Sequence, residues 1–369
     1  MKLRNCEVEE FEKRTQGKKI ICFGAMNMPV NFCLAYPQFR FEERIIFLAD
    51  NDKNKCGKML PLDHGIEREI ISPEKLVEVV DENTVVFITS MYFAAIIKQL
   101  DGFSELDNTE CYIYPFMQND RKFLEKTPLG STEEQLIPKK IHYFWFGRGP
   151  KPELALKCID SWKKFCPDWE IIEWNEDNYD TNKHHFVKET YDNRMFSHAP
   201  DYARLDVVYH YGGVYFDTDV EVIKNIDDIL YNEAFFGFGN WGRINTGAGF
   251  GSMPGHSLYK RLLDAYDHYT IFDENGKPNP EFTNTIREEP VFIKAGLRPD
   301  DTYQIVDGAA VFPSDVMSPI VPGFNTPRIT QNTVSIHHNN FSWADAKETK
   351  EFAESKESEK IIRQRFEED

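Results

Sequence analysis

Residues 198–222 read HAPDYARLDVVYHYGGVYFDTDVEV, and this stretch restricts the fold more tightly than any other part of the chain. Pro200 suits the first turn of a helix and Gly212 its left-handed C-terminal end, so the pattern predicts a helix over 200–211. Two glycines then let the chain reverse into the apolar run Val214-Tyr215-Phe216, which meets Asp217 and Asp219. From Asp201 to Tyr211 the helix rises about 15 Å at ~1.5 Å per residue. The returning segment covers about 13 Å at ~3.3 Å per residue. Asp217 is thereby carried back level with Asp201 and Arg204, which share a helix face at i and i+3. The two-residue period of a strand turns Asp217 and Asp219 to one side. Three carboxylates and one guanidinium gather at one end of a sheet, where open α/β folds hold their ligands. Such crowding of negative charge is costly unless a cation sits within it. An oxygen-rich set of this kind suits a hard divalent ion, Mg²⁺ or Mn²⁺. Taken alone, Asp201 and Arg204 read as an ordinary helix-surface ion pair; beside the returning Asp-x-Asp they read as part of the site. A second Asp-x-Asp, at Asp50 and Asp52, also follows an apolar run but lacks this context and reads as a charged loop.

Elsewhere the pattern is that of an α/β chain. Strand-like runs at 18–25, 44–50, 84–90 and 111–116 alternate with helical stretches such as SPEKLVEVV, where Ser72 caps a helix opened by Pro73. This alternation predicts a Rossmann-like parallel-sheet domain over 1–126. A dinucleotide is not expected there, because Met26 and Pro29 stand where the second and third glycines of GxGxxG would be. Pro, Gly, Ser and acidic residues mark 127–138 as a linker. A second domain is expected over 139–345, opening with the strand KKIHYFWFG. The charged segment 346–369 reads as a solvated or frayed terminal helix, with Phe352, Ile361 and Ile362 offering little to bury.

The 369 residues leave room for two domains, and 61 acidic against 43 basic side chains give a net charge of −18. That balance excludes a nucleic-acid backbone as the main partner. It also means that an anionic small substrate needs a cation or local basic groups to be held. Seven cysteines without a CxxC pair read as reduced thiols of a cytoplasmic protein. No apolar signal segment or membrane-length apolar run is found, which leaves peripheral association with a membrane as the expected mode of any contact with lipid.

The stretches IPKKIHYFWFG, SWKKFCPDWEIIEWNEDNYD, APDYARLDVVYHYGGVYFDTDVEVIKNID and SIHHNNFSW together resemble the DXD sugar transferases of glycosyltransferase family 32. That family is itself similar to the large clostridial toxin glucosyltransferases, and the resemblance runs from Ile137 to Trp343. It implies a GT-A type glycosyltransferase domain, a nucleotide-sugar donor with UDP favoured, a divalent metal, and transfer with retention at the anomeric carbon. It also implies a glycan or lipid-linked saccharide acceptor in capsular or surface polysaccharide synthesis, met at the inner face of the membrane. By resemblance Asp219 ligates the metal and Asp217 contacts hydroxyls of the donor, while Asp201 and Arg204 hold the transferred sugar. Phe144 and Trp145 lie by the base, Tyr215 lines the donor pocket, and Asn245 sits beside the sugar. His337 or His338, with Ser342 and Trp343, closes over the metal and the diphosphate. Adjacent strand residues face opposite ways, and His337 is the one placed toward the metal. His142 reads as core. Glu288-Glu289 stands ahead of Pro290 where the family often carries Thr-Gly, which leaves the acceptor side open. Two alternatives stand beside this reading: an inactive sugar-nucleotide-binding module, and an NAD(P)-dependent activity in the N-terminal domain.

Overall fold

The apolar runs of the N-terminal region become a seven-stranded sheet in the computed structural model, which describes residues 1–272, 276–277, 279, 284–340 and 346–367. The strands are β1 (Lys2–Arg4), β2 (Lys19–Phe23), β3 (Ile45–Ala49), β4 (Met59–Pro61), β5 (Glu67–Ile71), β6 (Thr84–Ile88) and β7 (Glu110–Ile113). Their order is β1-β7-β6-β2-β3-β5-β4, parallel throughout except for the antiparallel edge pair β4–β5. Buried Ile20, Cys22, Phe32, Phe41, Leu48 and Phe87 fill one core of this unit. Ser72 accepts a hydrogen bond from the Lys75 amide at the start of helix Pro73–Val79.

The strand order reverses between β2 and β6, the place where such sheets bind nucleotides. Here β2 and β6 pack tightly: a Cβ on Gly24 would lie 2.4 Å from the Thr89 carbonyl oxygen, and the Thr89 hydroxyl donates to the Phe23 and Gly24 carbonyls. Asp50 accepts from the Ala25 amide and pairs with Lys55, while Asp52 accepts from Asn54. This first aspartate pair is therefore spent on local structure.

The tail does not behave as expected from its composition. Helix Ala346–Glu367 packs in the N-terminal unit against helix Phe93–Leu100 and β1. Ile362 is buried, the Phe366 ring meets that of Phe116 edge-on, and Arg363 makes a two-pronged ion pair with Asp120. The helix is thus a docked element of that unit, which comprises Met1–Phe123, Val321–Arg328 and Ala344–Asp369. Phe352 has its side chain outside the described residues.

The second unit comprises Leu124–Ile320 and Ile329–Trp343. Its strands are β8 (Lys140–Phe144), β9 (Glu170–Trp174), β10 (Gly213–Tyr215), β11 (Val220–Val222), β12 (Ala234–Gly237), β13 (Phe250–Ser252), β14 (Gln304–Val306), β15 (Ala309–Phe312) and β16 (Ser335–His337). Seven of them form a mixed sheet in the order β14-β15-β12-β13-β10-β8-β9, and β11 and β16 form an antiparallel ribbon. Both units are α/β, as the sequence pattern requires. The segment 127–138 is not a free linker. Ser131 and Thr132 donate to the Tyr231 carbonyl, Leu136 and Ile137 donate to that of Leu230, and Ile137 is fully buried. Its composition is turn-like, yet four of its amides bond to the 230–231 carbonyls, and it belongs to the second unit itself. Among the described residues no helix is long and apolar enough to cross a membrane.

Candidate active site

The site grows from helix Pro200–Tyr211 and its return. This helix buries residues on all sides, including Asp201, Ala203, Arg204, Leu205, Asp206, Val207 and Val208. Its end is fixed by Gly212 and Gly213, at φ 63° and 109°. A Cβ on Gly213 would lie 2.9 Å from both His142 Nε2 and the Lys140 carbonyl, so only glycine lets β10 leave this close to β8. His142 is fully buried and pins the turn, with Nε2 at 2.8 Å from the Gly212 carbonyl. Trp174 Nε1–H donates to His142 Nδ1, so the neutral ring carries its proton on Nε2 and donates it to Gly212. Burial drives the His142 pKa down to about 4.

β10 ends at Tyr215, and Asp217 and Asp219 lie in the turn between β10 and β11 rather than on a strand. The Val220 amide donates back to the Asp217 carbonyl, and this turn converges the two carboxylates. The two aspartates are neighbours, as the strand period predicts, but through this turn and not through a strand. β11 then pairs with β16 in a register that sets Val220 opposite His337. Asp217, Asp219 and His337 consequently offer ligand atoms within 4.8 Å of one another.

Around this triad the contacts are specific. Arg204 Nη2 lies 2.8 Å from Asp201 Oδ1, and Arg204 Nη1 lies 3.5 Å from Asp217 Oδ1. Both members of the first pair are buried, at 4% and 3% exposure, which replaces the surface-pair account. The Tyr215 hydroxyl donates to Asp217 Oδ1 at 2.8 Å, with the Arg204 guanidinium 5.7 Å from the Tyr215 ring centre. Arg204 Nε is buried and has no hydrogen-bond partner among the described residues. Gly247 borders Asp217 so closely that a Cβ there would sit 2.3 Å from Oδ2.

The two neighbouring aspartates are pushed apart in acidity. Burial, reinforced by Asp219, raises the Asp217 pKa against the pull of Arg204, although a third of the Asp217 side chain remains accessible. Burial also works against ionised Asp219, but His337 and the Asn340 amide outweigh it and hold the carboxyl down at about 2. At Asp201 burial is again opposed by Arg204, and the net direction is down.

Asn245 decides what His337 presents. The Gly247 N–H can only donate, and it donates to Asn245 Oδ1 at 2.9 Å. Asn245 Nδ2 therefore faces His337 Nδ1, at 3.2 Å, and the neutral ring carries its proton on Nε2, 3.3 Å from Asp219 Oδ1. The two carboxylates fit a hard divalent ion as they stand. His337 fits as a direct ligand only in the other tautomer, with its proton on Nδ1, and the Asn245 amide facing Nδ1 opposes that form. His338 turns the other way and bonds Glu221 Oε2 at 2.9 Å.

The donor-side aromatics divide. β8 lies parallel to β10, with Tyr215 paired to His142, so Phe144 and Trp145 emerge at the edge that carries Asp217. Phe144 is 5% exposed and packs among Phe146, Trp174 and Tyr179, which leaves no face for a base. Trp145 is half-buried on the opposite face, with Lys151 Nζ 5.5 Å from its ring. Ser342 and Trp343 lie outside the described residues. Sequence reasoning overlooked Glu288 as part of the site. It is 1% exposed, accepts from the Tyr266 and Thr246 hydroxyls, and has its pKa raised by burial against the pull of Arg204. Its unusual place ahead of Pro290 was the visible signal.

Residues 152–236, which run through the helix and the aspartate turn of this site, match the family described as glycosyltransferase sugar-binding region containing DXD motif. Among curated proteins the chain is similar to inositol phosphoceramide mannosyltransferase 1 of Schizosaccharomyces pombe, 32% identical over 114 residues, covering 28% of this chain and 34% of that one. It is similar also to mannosyl phosphorylinositol ceramide synthase CSH1 of Saccharomyces cerevisiae, 29% identical over 147 residues and covering 37% and 36%. The chain thus spans about a third of the length of these relatives. Among solved structures it aligns with the PaToxG glycosyltransferase at a TM-score of 0.33 and 16% identity, covering 43% of this chain and 70% of that one.

Proposed function

We propose that this chain transfers a sugar from a nucleoside diphosphate donor to a hydroxyl of a saccharide or lipid-linked acceptor, with a divalent ion at Asp219. The observation that carries this reading is the convergence of Asp217, Asp219 and His337 within 4.8 Å beside the buried Asp201–Arg204 pair. Mannose is the sugar favoured by the names of the relatives. An acceptor in surface-glycan assembly, reached from the cytoplasmic side of the membrane, agrees with seven free cysteines.

A bound Mn²⁺ or Mg²⁺ would neutralise the diphosphate and stabilise the charge that develops on it as the glycosidic bond breaks. Asp217 and Asp219 would hold that ion, with His337 adjoining. Arg204 braces the Asp217 carboxylate through Nη1, and Asp201 keeps the guanidinium from rotating. Fixing the sugar beside them lets the acceptor hydroxyl meet the anomeric carbon in productive geometry. The buried carboxylates behind the pocket are engaged, Asp201 by Arg204 and Glu288 by two hydroxyls. That favours same-face attack, with retention, over a carboxylate nucleophile. The test is a screen of UDP- and GDP-sugars with Mn²⁺ or Mg²⁺, following nucleoside diphosphate release. Metal-dependent release from one donor supports the reading; no release and no calorimetric binding of any nucleotide overturns it.

A further inference from the structure

We propose that Glu288, acting through the Thr246 hydroxyl, is a positioning residue that holds the 245–247 turn and with it the ion-binding carboxylates Asp217 and Asp219, the second braced by His337. The inference rests on the functional reading above. Glu288 lies on helix Asn284–Lys294, away from the aspartate turn in sequence, yet both its oxygens are committed. Oε1 accepts from the Tyr266 hydroxyl at 2.7 Å and Oε2 from the Thr246 hydroxyl at 2.9 Å. Thr246 also accepts from Asn284 Nδ2 at 2.9 Å, so its hydroxyl is fixed in both roles. A buried carboxylate is expensive, and an apolar side chain would fill the same volume more cheaply. Glu288 accomplishes something an apolar residue would not: it locks the one residue that lies between two site groups.

On one side of Thr246, Asn245 donates to His337 Nδ1 and thereby orients the ring toward Asp219. On the other, Gly247 accepts from the Asp217 amide at 3.1 Å and fits beneath the Asp217 carboxyl. A turn free to shift by a fraction of an ångström would let both sides relax. Polar groups standing behind ligating side chains commonly carry ~10–100-fold of metal affinity.

The experiment compares Glu288→Gln, Glu288→Ala, Thr246→Val and Asp219→Asn with the wild type. Mn²⁺ alone is the probe, its binding read from the loss of the free-ion paramagnetic resonance signal, and nucleotide release is measured alongside. Near-ultraviolet circular dichroism establishes that each variant is folded. Thr246→Val keeps the shape of the side chain and removes only the hydroxyl, so it decides the matter even if Glu288→Ala fails to fold. The expected result is Mn²⁺ affinity weakened about tenfold or more in Thr246→Val and Glu288→Ala, with recovery in Glu288→Gln, whose amide can still bridge the two hydroxyls. Wild-type affinity in folded Thr246→Val overturns the inference while leaving the functional reading intact. If the wild type holds no Mn²⁺, or Asp219→Asn holds it equally well, both fall together.

Discussion

Asp219 and Arg204 stand in the same site and should fail in different ways. Asp219 keeps 18% of its side chain accessible, and its charge is opposed by burial and upheld by His337 and by backbone amides, that of Asn340 foremost. Asp219→Asn keeps the shape and removes one charge from a crowded set. Nucleotide release should fall about 100-fold or more, the scale of a lost electrostatic contribution to the transition state, with the thermal midpoint little changed. Arg204→Ala strands a carboxylate that is 4% exposed. Breaking one side of a buried pair costs about 3–5 kcal/mol, so this variant should lose stability together with activity. Chemical denaturation of the two variants separates these outcomes. If Asp219→Asn unfolds as readily as Arg204→Ala, then Asp219 is a structural anchor and its assignment to the ion is wrong.

At the scale of elements, what decides the site is the helix–turn–strand unit, and its turn depends on a neutral histidine. The folded chain resists protonating His142, whose pKa is about 4 against an ordinary 6.5. Below pH 6.5 the unfolded chain binds a proton that the folded chain refuses, so stability is full above 6.5 and is lost progressively toward pH 4. The loss amounts to about 3 kcal/mol at most, from 1.36 kcal/mol per pH unit. Denaturant titrations at pH 7 and pH 4.5 should show His142→Gln losing about 2–3 kcal/mol less than the wild type between the two. Equal losses would mean that His142 is not the neutral pin described.

Much of this unit was legible in the sequence, because helix rise, glycine reversal and strand return are local rules. They placed Asp201, Arg204 and Asp217 together from the primary structure alone. What the local rules could not place depends on long-range pairing. His337, expected at the metal from the family resemblance alone, arrives through the β11–β16 register, and Glu288, not expected in the site, meets Thr246 from a separate helix. The segment 127–138 was misjudged for the same reason, since no local pattern reveals that Tyr231 and Leu230 accept its amides. Phe144 and Trp145 are equally aromatic in the sequence, and only the sheet's two faces distinguish core from edge.

For the whole molecule the instructive error is the tail, whose low hydrophobicity suggested that it would float free. Composition underestimates a helix that binds by a few concentrated contacts. Arg363 grips Asp120, which also accepts from Asn5 at 2.6 Å; Arg365 and the terminal ammonium share Asp101. Met1 and Asn5, which flank β1, and the helix Ala346–Glu367 therefore close on the same two aspartates, with Ile362 and Phe366 adding the apolar contribution. Partly buried bidentate pairs outperform exposed ones because their geometry is fixed and their charges are less screened. Removing residues 346–369 should thus destabilise the N-terminal unit by about 3–5 kcal/mol, from one buried aliphatic side chain and two charge-assisted contacts. Hydrogen exchange locates the effect. Amides of β1 and β7, which pair Lys2 with Glu110 and Leu3 with Cys111, should exchange faster in the truncated chain, while those of β10 and β13 keep their protection. Arg363→Ala should move β1 and β7 in the same direction by a smaller amount. Unchanged protection of β1 after truncation would show that the helix merely rests on this unit, and that the N-terminal strand is held by its partner β7 alone.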